Sequence, residues 1–210
     1  VLEKWHEPHL NTALTLQNIQ QWRSELDAAL LKEFQYNDDN VVVEGYNLLA
    51  MEAAKKMIER VLNYDEELIQ SGNPPTIIFT EKQMSRPLTL DDGTEVLIKG
   101  TLDRVHMSGG ICHILDYKTG KVEGSDLSIS EIEIANILNG KKAKLTQILL
   151  YAWMAYKEGL SRLDKLQVGL FPLGTVEGKP HWLKNADQLL HPDFMRDWEE
   201  GIRQLIMSML

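Results

Sequence analysis

Residues 99–121 read KGTLDRVHMSGGICHILDYKTGK, and the fold turns on how this stretch pairs with itself. Gly109-Gly110 suits a two-residue hairpin loop, because both positions of such a loop favour positive φ. With that loop Ser108 faces Ile111, and counting back sets Asp103 directly opposite Asp116, with facing Cβ atoms roughly 4.5–5.5 Å apart. With Ser108-Gly109 as the loop, Asp103 faces Ile114 and Asp116 becomes a diagonal neighbour. Either even-length loop keeps both carboxylates on one face. Lys118 follows Asp116 by two residues, so its side chain points the same way. Facing like charges destabilise a sheet, and a partly buried pair must share a proton or hold a cation. Oxygen ligands without histidine or thiolate suit a hard ion, Mg²⁺ or Mn²⁺, over Zn²⁺. Acids and lysines on strands are most often solvated outer-face residues, but Asp116 ends an apolar run that reads as a central strand, where charge needs a reason.

Working outward, residues 76–85, 95–106 and 111–118 are rich in Ile, Val, Leu, Phe and Thr. They read as three consecutive antiparallel strands separated by Pro87, the Asp91-Asp92-Gly93 turn and the glycine pair. Upstream, Ile19, Trp22, Leu26 and Leu30 recur at three- and four-residue steps and predict a helix over 15–35. Residues 37–40 read as a loop. A second helix is expected over 46–68, with Leu49, Ala53, Met57, Val61 and Leu62 on its apolar side and Lys55, Lys56 and Arg60 exposed. Gly72, Asn73, Pro74 and Pro75 end it. Downstream, Ser128-Ile129-Ser130-Glu131 fits a capping box, Asn139-Gly140 a break, and 144–158 an apolar helix. Residues 166–173 read as a strand buried on both faces. Phe194, Trp198, Ile202, Leu205 and Met209 mark a last helix. The 166–173 strand joins the sheet only by a crossover through the 144–158 helix, which implies an α/β fold with a central mixed sheet flanked by helices. Residues 1–72 form the N-terminal helical region and 73–210 the core. The Val1 start is read as one domain cut from a longer protein.

The chain has 210 residues, and its 22 Lys+Arg against 31 Asp+Glu leave a net charge of −9. That balance argues against coating nucleic acid by bulk charge. With 43% hydrophobic and 25% charged residues, disorder is excluded as the main state. The single cysteine, Cys112, excludes an internal disulfide, a four-cysteine zinc site and a cysteine-ligated iron–sulfur cluster, and it points to a reducing, cytoplasmic setting. No run of about 18 apolar residues is present to span a membrane, and VLEKWHEPHL lacks a signal-peptide layout. Gly120-Lys121 is followed by Val122, so no P-loop ATP site is expected.

Three motifs occur in order: GxxDR in Gly100-Thr101-Leu102-Asp103-Arg104, DYKTG in Asp116-Tyr117-Lys118-Thr119-Gly120, and QxxxY in Gln147-Ile148-Leu149-Leu150-Tyr151. Together they resemble the RecB-like branch of the PD-(D/E)XK nuclease superfamily. The resemblance implies a restriction-endonuclease-like core in α-βββ-α-β order. It also implies a Mg²⁺- or Mn²⁺-dependent DNA exonuclease of repair or recombination, working with a helicase or helicase-like domain on the same or an associated chain. Carried over by position, Asp103 and Asp116 are metal ligands, the Tyr117 carbonyl is a third, and Lys118 is the catalytic lysine. Glu81 is either near the metal or a solvated strand residue. Gln147 and Tyr151 share a helix face and either position DNA or sit in the core. Arg104 makes a phosphate contact or a structural ion pair. Thr119, Lys121, Lys141, Lys142 and Lys144 flank the site and supply phosphate contacts or a solvated face. Two family features are missing. Leu49 stands where GxxxH would put a histidine after Gly45, with His6 and His9 too far upstream to substitute, and the four cysteines of an iron–sulfur cluster are absent. The rival readings are a non-catalytic nuclease-fold module binding DNA or a partner protein, and a purely structural domain.

Overall fold

A computed structural model describes residues 1–35, 44–128 and 133–210. The expected 37–40 loop and most of the Ser128–Glu131 capping box therefore lie outside the described residues. The chain starts with a short helix, α1 (Leu2–His6), and then α2 (Leu16–Phe34). Thr15 opens α2 with a capping box: Asn18 N donates to Thr15 Oγ1 (3.3 Å) and Thr15 N to Asn18 Oδ1 (2.9 Å), which satisfies two otherwise unpaired donors. The long α3 (Tyr46–Gln70) follows. Its expected apolar side is only partly used. Leu49 is 67% exposed and Ala53 is exposed, and burial is confined to Val61, Leu62, Tyr64 and Asp65 near its C-terminal end. Lys55 and Arg60 are not free surface cations either. Lys55 pairs with Asp27 of α2 (2.6 Å), and the Arg60 guanidinium donates to the Leu173 carbonyl.

Five strands follow: β1 (Thr76–Thr89), β2 (Glu95–Ser108), β3 (Ile111–Lys118), β4 (Leu166–Pro172) and β5 (His181–Trp182). They form one sheet in that order, with β3 and β4 parallel and the other pairs antiparallel. This is the mixed sheet expected. The β2–β3 loop is Gly109-Gly110, with φ of +58° and +76°, and it pairs Ser108 with Ile111. β1 does not stop before Pro87, as the sequence suggested, but runs through it. As an edge strand, β1 tolerates the loss of one outward N–H. The two-residue β5 is too short to leave a periodic signal.

Between β3 and β4 come α4 (Ile134–Leu138) and the crossover helix α5 (Ala143–Glu158). After β5 come α6 (Ala186–Leu189) and α7 (Pro192–Met207). The main core lies on the α5 side, where Cys112 and Ile114 of β3 and Val168 and Leu170 of β4 meet Ile148, Leu149 and Ala152, and where α7 adds Met195, Trp198 and Ile202. Leu205 and Met209, expected on this face, are 36% and 68% exposed: in the last turn of α7 it is Ile206 that packs against the core, and Met209 lies beyond the end of the helix. On the opposite face, Val61 and Tyr64 of α3 pack against Leu115 and Phe171.

That second interface also contains charge. The Arg104 guanidinium of β2 and the Asp65 carboxylate of α3 form a bidentate pair (3.0 and 2.6 Å) with both side chains fully buried. Burial opposes the Arg104 charge, but Asp65 and Tyr117 together outweigh it and push its pKa up. Burial raises the Asp65 pKa while Arg104 opposes the rise; the fork-on-fork geometry is that of two ionised partners. Arg104 Nε also donates to His106 Nδ1 (3.3 Å), and the His106 ring stacks on His113 at 4.8 Å. Removing one partner strands the other as an uncompensated buried charge. Asp65→Ala should thus lower stability by about 3–5 kcal/mol in urea denaturation, while Asp65→Ala combined with Arg104→Leu should recover much of the loss.

Candidate active site

β3 alternates cleanly: Cys112 and Ile114 face α5, and Leu115 faces α3. Asp116 and Lys118 continue the α5-facing row, and both meet Gln147 of α5. β2 does not keep its alternation. A Cβ on Gly100 would point at Met154 and Tyr151 of α5, Leu102 lies in the α5-side core, Arg104 reaches α3, and Val105 returns to the α5 side. The strand therefore changes face across Asp103 and Arg104. Directly across the β1–β2 ladder, between the pairs Thr80↔Arg104 and Lys82↔Leu102, Glu81 has φ +49°. A non-glycine residue in that left-handed region is strained by about 1–3 kcal/mol, and such strain gathers at functional sites.

The β2–β3 pairing extends to Arg104↔Leu115, which brings Asp103 beside Asp116. There the ladder opens, and Tyr117 N donates not to a backbone carbonyl but to Asp103 Oδ2 at 2.7 Å. Burial pushes the Asp103 pKa up to about 6; the Tyr117 N–H opposes the shift, the Asp116 and Glu81 charges add to it, and Lys118 opposes it. Glu81 is raised as well, first by burial and then by Glu3 and Asp116. Three acids on three adjacent strands thus share one electrostatic environment.

A hydrogen-bonded network holds Asp116. Its Oδ1 accepts from Gln147 Nε2 (2.9 Å) and from the Tyr151 hydroxyl (3.4 Å), and Gln147 Nε2 also reaches the Tyr151 oxygen (2.7 Å). Gln147 Oε1 accepts from Lys118 Nζ (2.9 Å). Lys118 Nζ lies 2.7 Å from Asp116 Oδ2, but without hydrogen-bond geometry, so that buried oxygen has no hydrogen-bond donor. Gly100 allows this approach: an added Cβ would lie 3.2 Å from the Tyr151 ring and 2.8 Å from the Met154 methyl.

The remaining expected site residues divide. Arg104 is completely buried in its ion pair and has no surface for a phosphate contact, so that expectation is corrected. Lys121, Lys142 and Lys144 gather around the turn Gly124–Leu127, each with a local acceptor. Lys121 pairs with Glu123 (2.6 Å), Lys142 Nζ donates to the Ser125 and Ser128 carbonyls (2.9 and 3.0 Å), and Lys144 Nζ donates to the Lys121 carbonyl and Asp126 (2.9 and 2.8 Å). Thr119 is exposed beside Lys118. Two residues that the motifs do not reveal also shape the site. Asp65 anchors β2 next to Asp103. Gly174 lies against the Thr119 carbonyl, where a Cβ would approach to 2.4 Å, and Leu173 N donates to the Lys118 carbonyl (2.8 Å).

Among the described residues, no group of three or more His, Cys, Asp or Glu side chains could hold a metal ion. Mg²⁺ commonly uses one or two carboxylates and completes its shell with water, so a two-acid site with one undonated buried oxygen fits such an ion. Among the described residues, no helix is long and apolar enough to cross a membrane.

A family model for the PD-(D/E)XK nuclease superfamily matches residues 1–210, and the chain belongs to that superfamily. No curated protein matches it.

Two outcomes follow from the geometry. The raised Asp103 pKa means that the folded protein keeps a proton the unfolded chain releases near pH 3.9. Its contribution to stability is therefore complete below about pH 4 and is lost as pH rises through about 6. In chelator, the melting temperature of the wild type should fall across that window relative to Asp103→Asn; parallel curves would refute the assignment. Gly174→Ala forces a Cβ onto backbone and should cost about 1–3 kcal/mol, with an altered Lys118–Thr119 environment visible in amide exchange.

Proposed function

We propose that this superfamily member is a metal-dependent deoxyribonuclease of the RecB-like branch, an exonuclease that hydrolyses phosphodiester bonds in DNA repair or recombination. One observation carries the reading: Asp116 and Lys118 are both held by Gln147, with Asp103 alongside and one buried carboxylate oxygen left without a donor. Asp103 and Asp116, with the Tyr117 carbonyl, would hold Mg²⁺ or Mn²⁺, and Glu81 on the neighbouring strand would add negative charge beside the ion rather than a ligand. Bound there, the ion supplies Lewis acidity toward a phosphoryl oxygen and lowers the pKa of a coordinated water.

The chain's own residues supply the rest. Gln147 and Tyr151 fix the Asp116 carboxylate, and Gln147 fixes the lysine. The Lys118 side chain, 29% exposed, offers a positive charge to the negative charge that develops on the phosphoryl oxygens. As the water oxygen gives up a proton to solvent and bonds to phosphorus, the bond to the leaving nucleotide oxygen breaks, and that oxygen takes up a proton from solvent.

Thr119, Lys121, Lys142 and Lys144 border the path for the strand. An ammonium has three donors, and Lys142 commits two of them to carbonyls, which leaves capacity for a phosphate oxygen. With a net charge of −9, affinity for DNA comes from the site and from delivery by a helicase or helicase-like partner, not from bulk charge.

A second reading, a non-catalytic module binding DNA or a partner protein, is favoured by Leu49 in place of the family histidine. End-labelled linear and closed-circular DNA incubated with and without Mg²⁺ or Mn²⁺ separate the two readings. The expected result is metal-dependent loss of the linear substrate alone. Lys118→Ala should reduce cleavage by about 100-fold or more while DNA binding persists, and cleavage at the wild-type rate in that variant would overturn the mechanism.

A further inference from the structure

We infer that Lys118 is an internal counter-ion that competes with a divalent cation for Asp116 Oδ2, and that Gln147 is a positioning residue that holds the lysine once the cation displaces it. The inference rests on the reading of Asp103 and Asp116 as cation ligands. The two oxygens of Asp116 are not equivalent. Oδ1 is engaged by Gln147 Nε2 and the Tyr151 hydroxyl, whereas buried Oδ2 has no hydrogen-bond donor and only the Lys118 ammonium, 2.7 Å away. Oδ2 is therefore the oxygen open to a cation, and a compact point charge already lies against it.

A carboxylate this buried is costly without a counter-charge, so the ammonium stabilises the site in the absence of metal. An ammonium and a divalent cation on the same oxygen repel each other, and the lysine must withdraw. It has a defined place to go. The Gln147 amide directs its nitrogen to Asp116 and Tyr151 and its oxygen to Lys118, at 2.9 Å, so Oε1 is an acceptor for the lysine that does not depend on Asp116. Without Gln147, the displaced ammonium would fall back on the carboxylate.

The two residues should then act on metal affinity in opposite directions, which a general loss of structure would not do. Metal-stripped protein is titrated with Mn²⁺ by calorimetry, without DNA. Lys118→Met should tighten Mn²⁺ binding about tenfold, and Lys118→Gln, which keeps a polar side chain of similar reach, should act in the same direction. Gln147→Leu should weaken binding in the wild-type background and much less in Lys118→Met, where no lysine remains to be held. Melting temperatures should agree: Lys118→Met below wild type in chelator, with a larger rise on adding Mn²⁺. Unchanged or weaker Mn²⁺ binding in both lysine variants would overturn the competition. An equal effect of Gln147→Leu in both backgrounds would overturn the holding role. If neither wild type nor Lys118→Met binds Mn²⁺, the two-acid cation site itself fails, and this inference fails with it.

Discussion

Two completely buried charges, Arg104 and Asp65, hold the helical N-terminal part of the chain against the sheet. Each needs the other, since neither charge is solvated where it lies. The pair also fixes a direction. Arg104 is committed to the α3 face, while Gly100 and Val105 on either side turn toward α5. Asp103 sits at the change of face and spends one carboxylate oxygen on the Tyr117 N–H, at the point where the β2–β3 ladder opens. The position of the first acid is thus a consequence of an ion pair on the far side of the sheet.

The second acid is positioned by the crossover helix. α5 packs an almost wholly apolar surface on β3 and β4, and one turn of it, Gln147 to Tyr151, brings polar groups to the end of β3. A glycine on β2 lets that turn come close. Glutamine suits the position because its amide donates to a carboxylate and accepts from an ammonium at once, which neither a glutamate nor a leucine of similar size can do.

Much of this was readable from residue order. The glycines at 109 and 110 left two even-length loops, both of which keep Asp103 near Asp116, and the structure uses Gly109-Gly110; the period of two in β3 set Asp116 and Lys118 on one face, and the apolar run of β4 required a crossover. What escaped has specific physical causes. Asp65 is 39 residues from Arg104, and the first acid of the run Asp65-Glu66-Glu67 near the end of a helix looks like surface until its partner is known. The strict alternation assumed for β2 fails at Asp103, because a left-handed residue across the ladder, Glu81, is not signalled by a glycine. Pro87 read as a separator because the strand's place at the edge of the sheet is a property of topology. Leu49 matched helical period, but period marks a face without saying that anything covers it. The lysines near the site were legible as a cluster, whereas their bonds to carbonyls and acids around Gly124–Leu127 depend on the path of a turn.

The strained Glu81 has a second effect, on the outer margin of the sheet. β1 is a 14-residue edge strand, long enough to recruit a strand from another molecule. Its free margin is interrupted at several points. Residues 11–14 cover the start, where Asn11 N donates to the Ile77 carbonyl (2.7 Å) and Leu14 N to the Pro75 carbonyl (2.9 Å). A register shift follows between Ile77 and Phe79, then the left-handed turn of the backbone at Glu81, and Pro87 removes a donor near the far end. No long run of evenly spaced donors and acceptors is left for a neighbouring chain to extend, so the distortion that shapes the acidic site also keeps the sheet from growing between molecules.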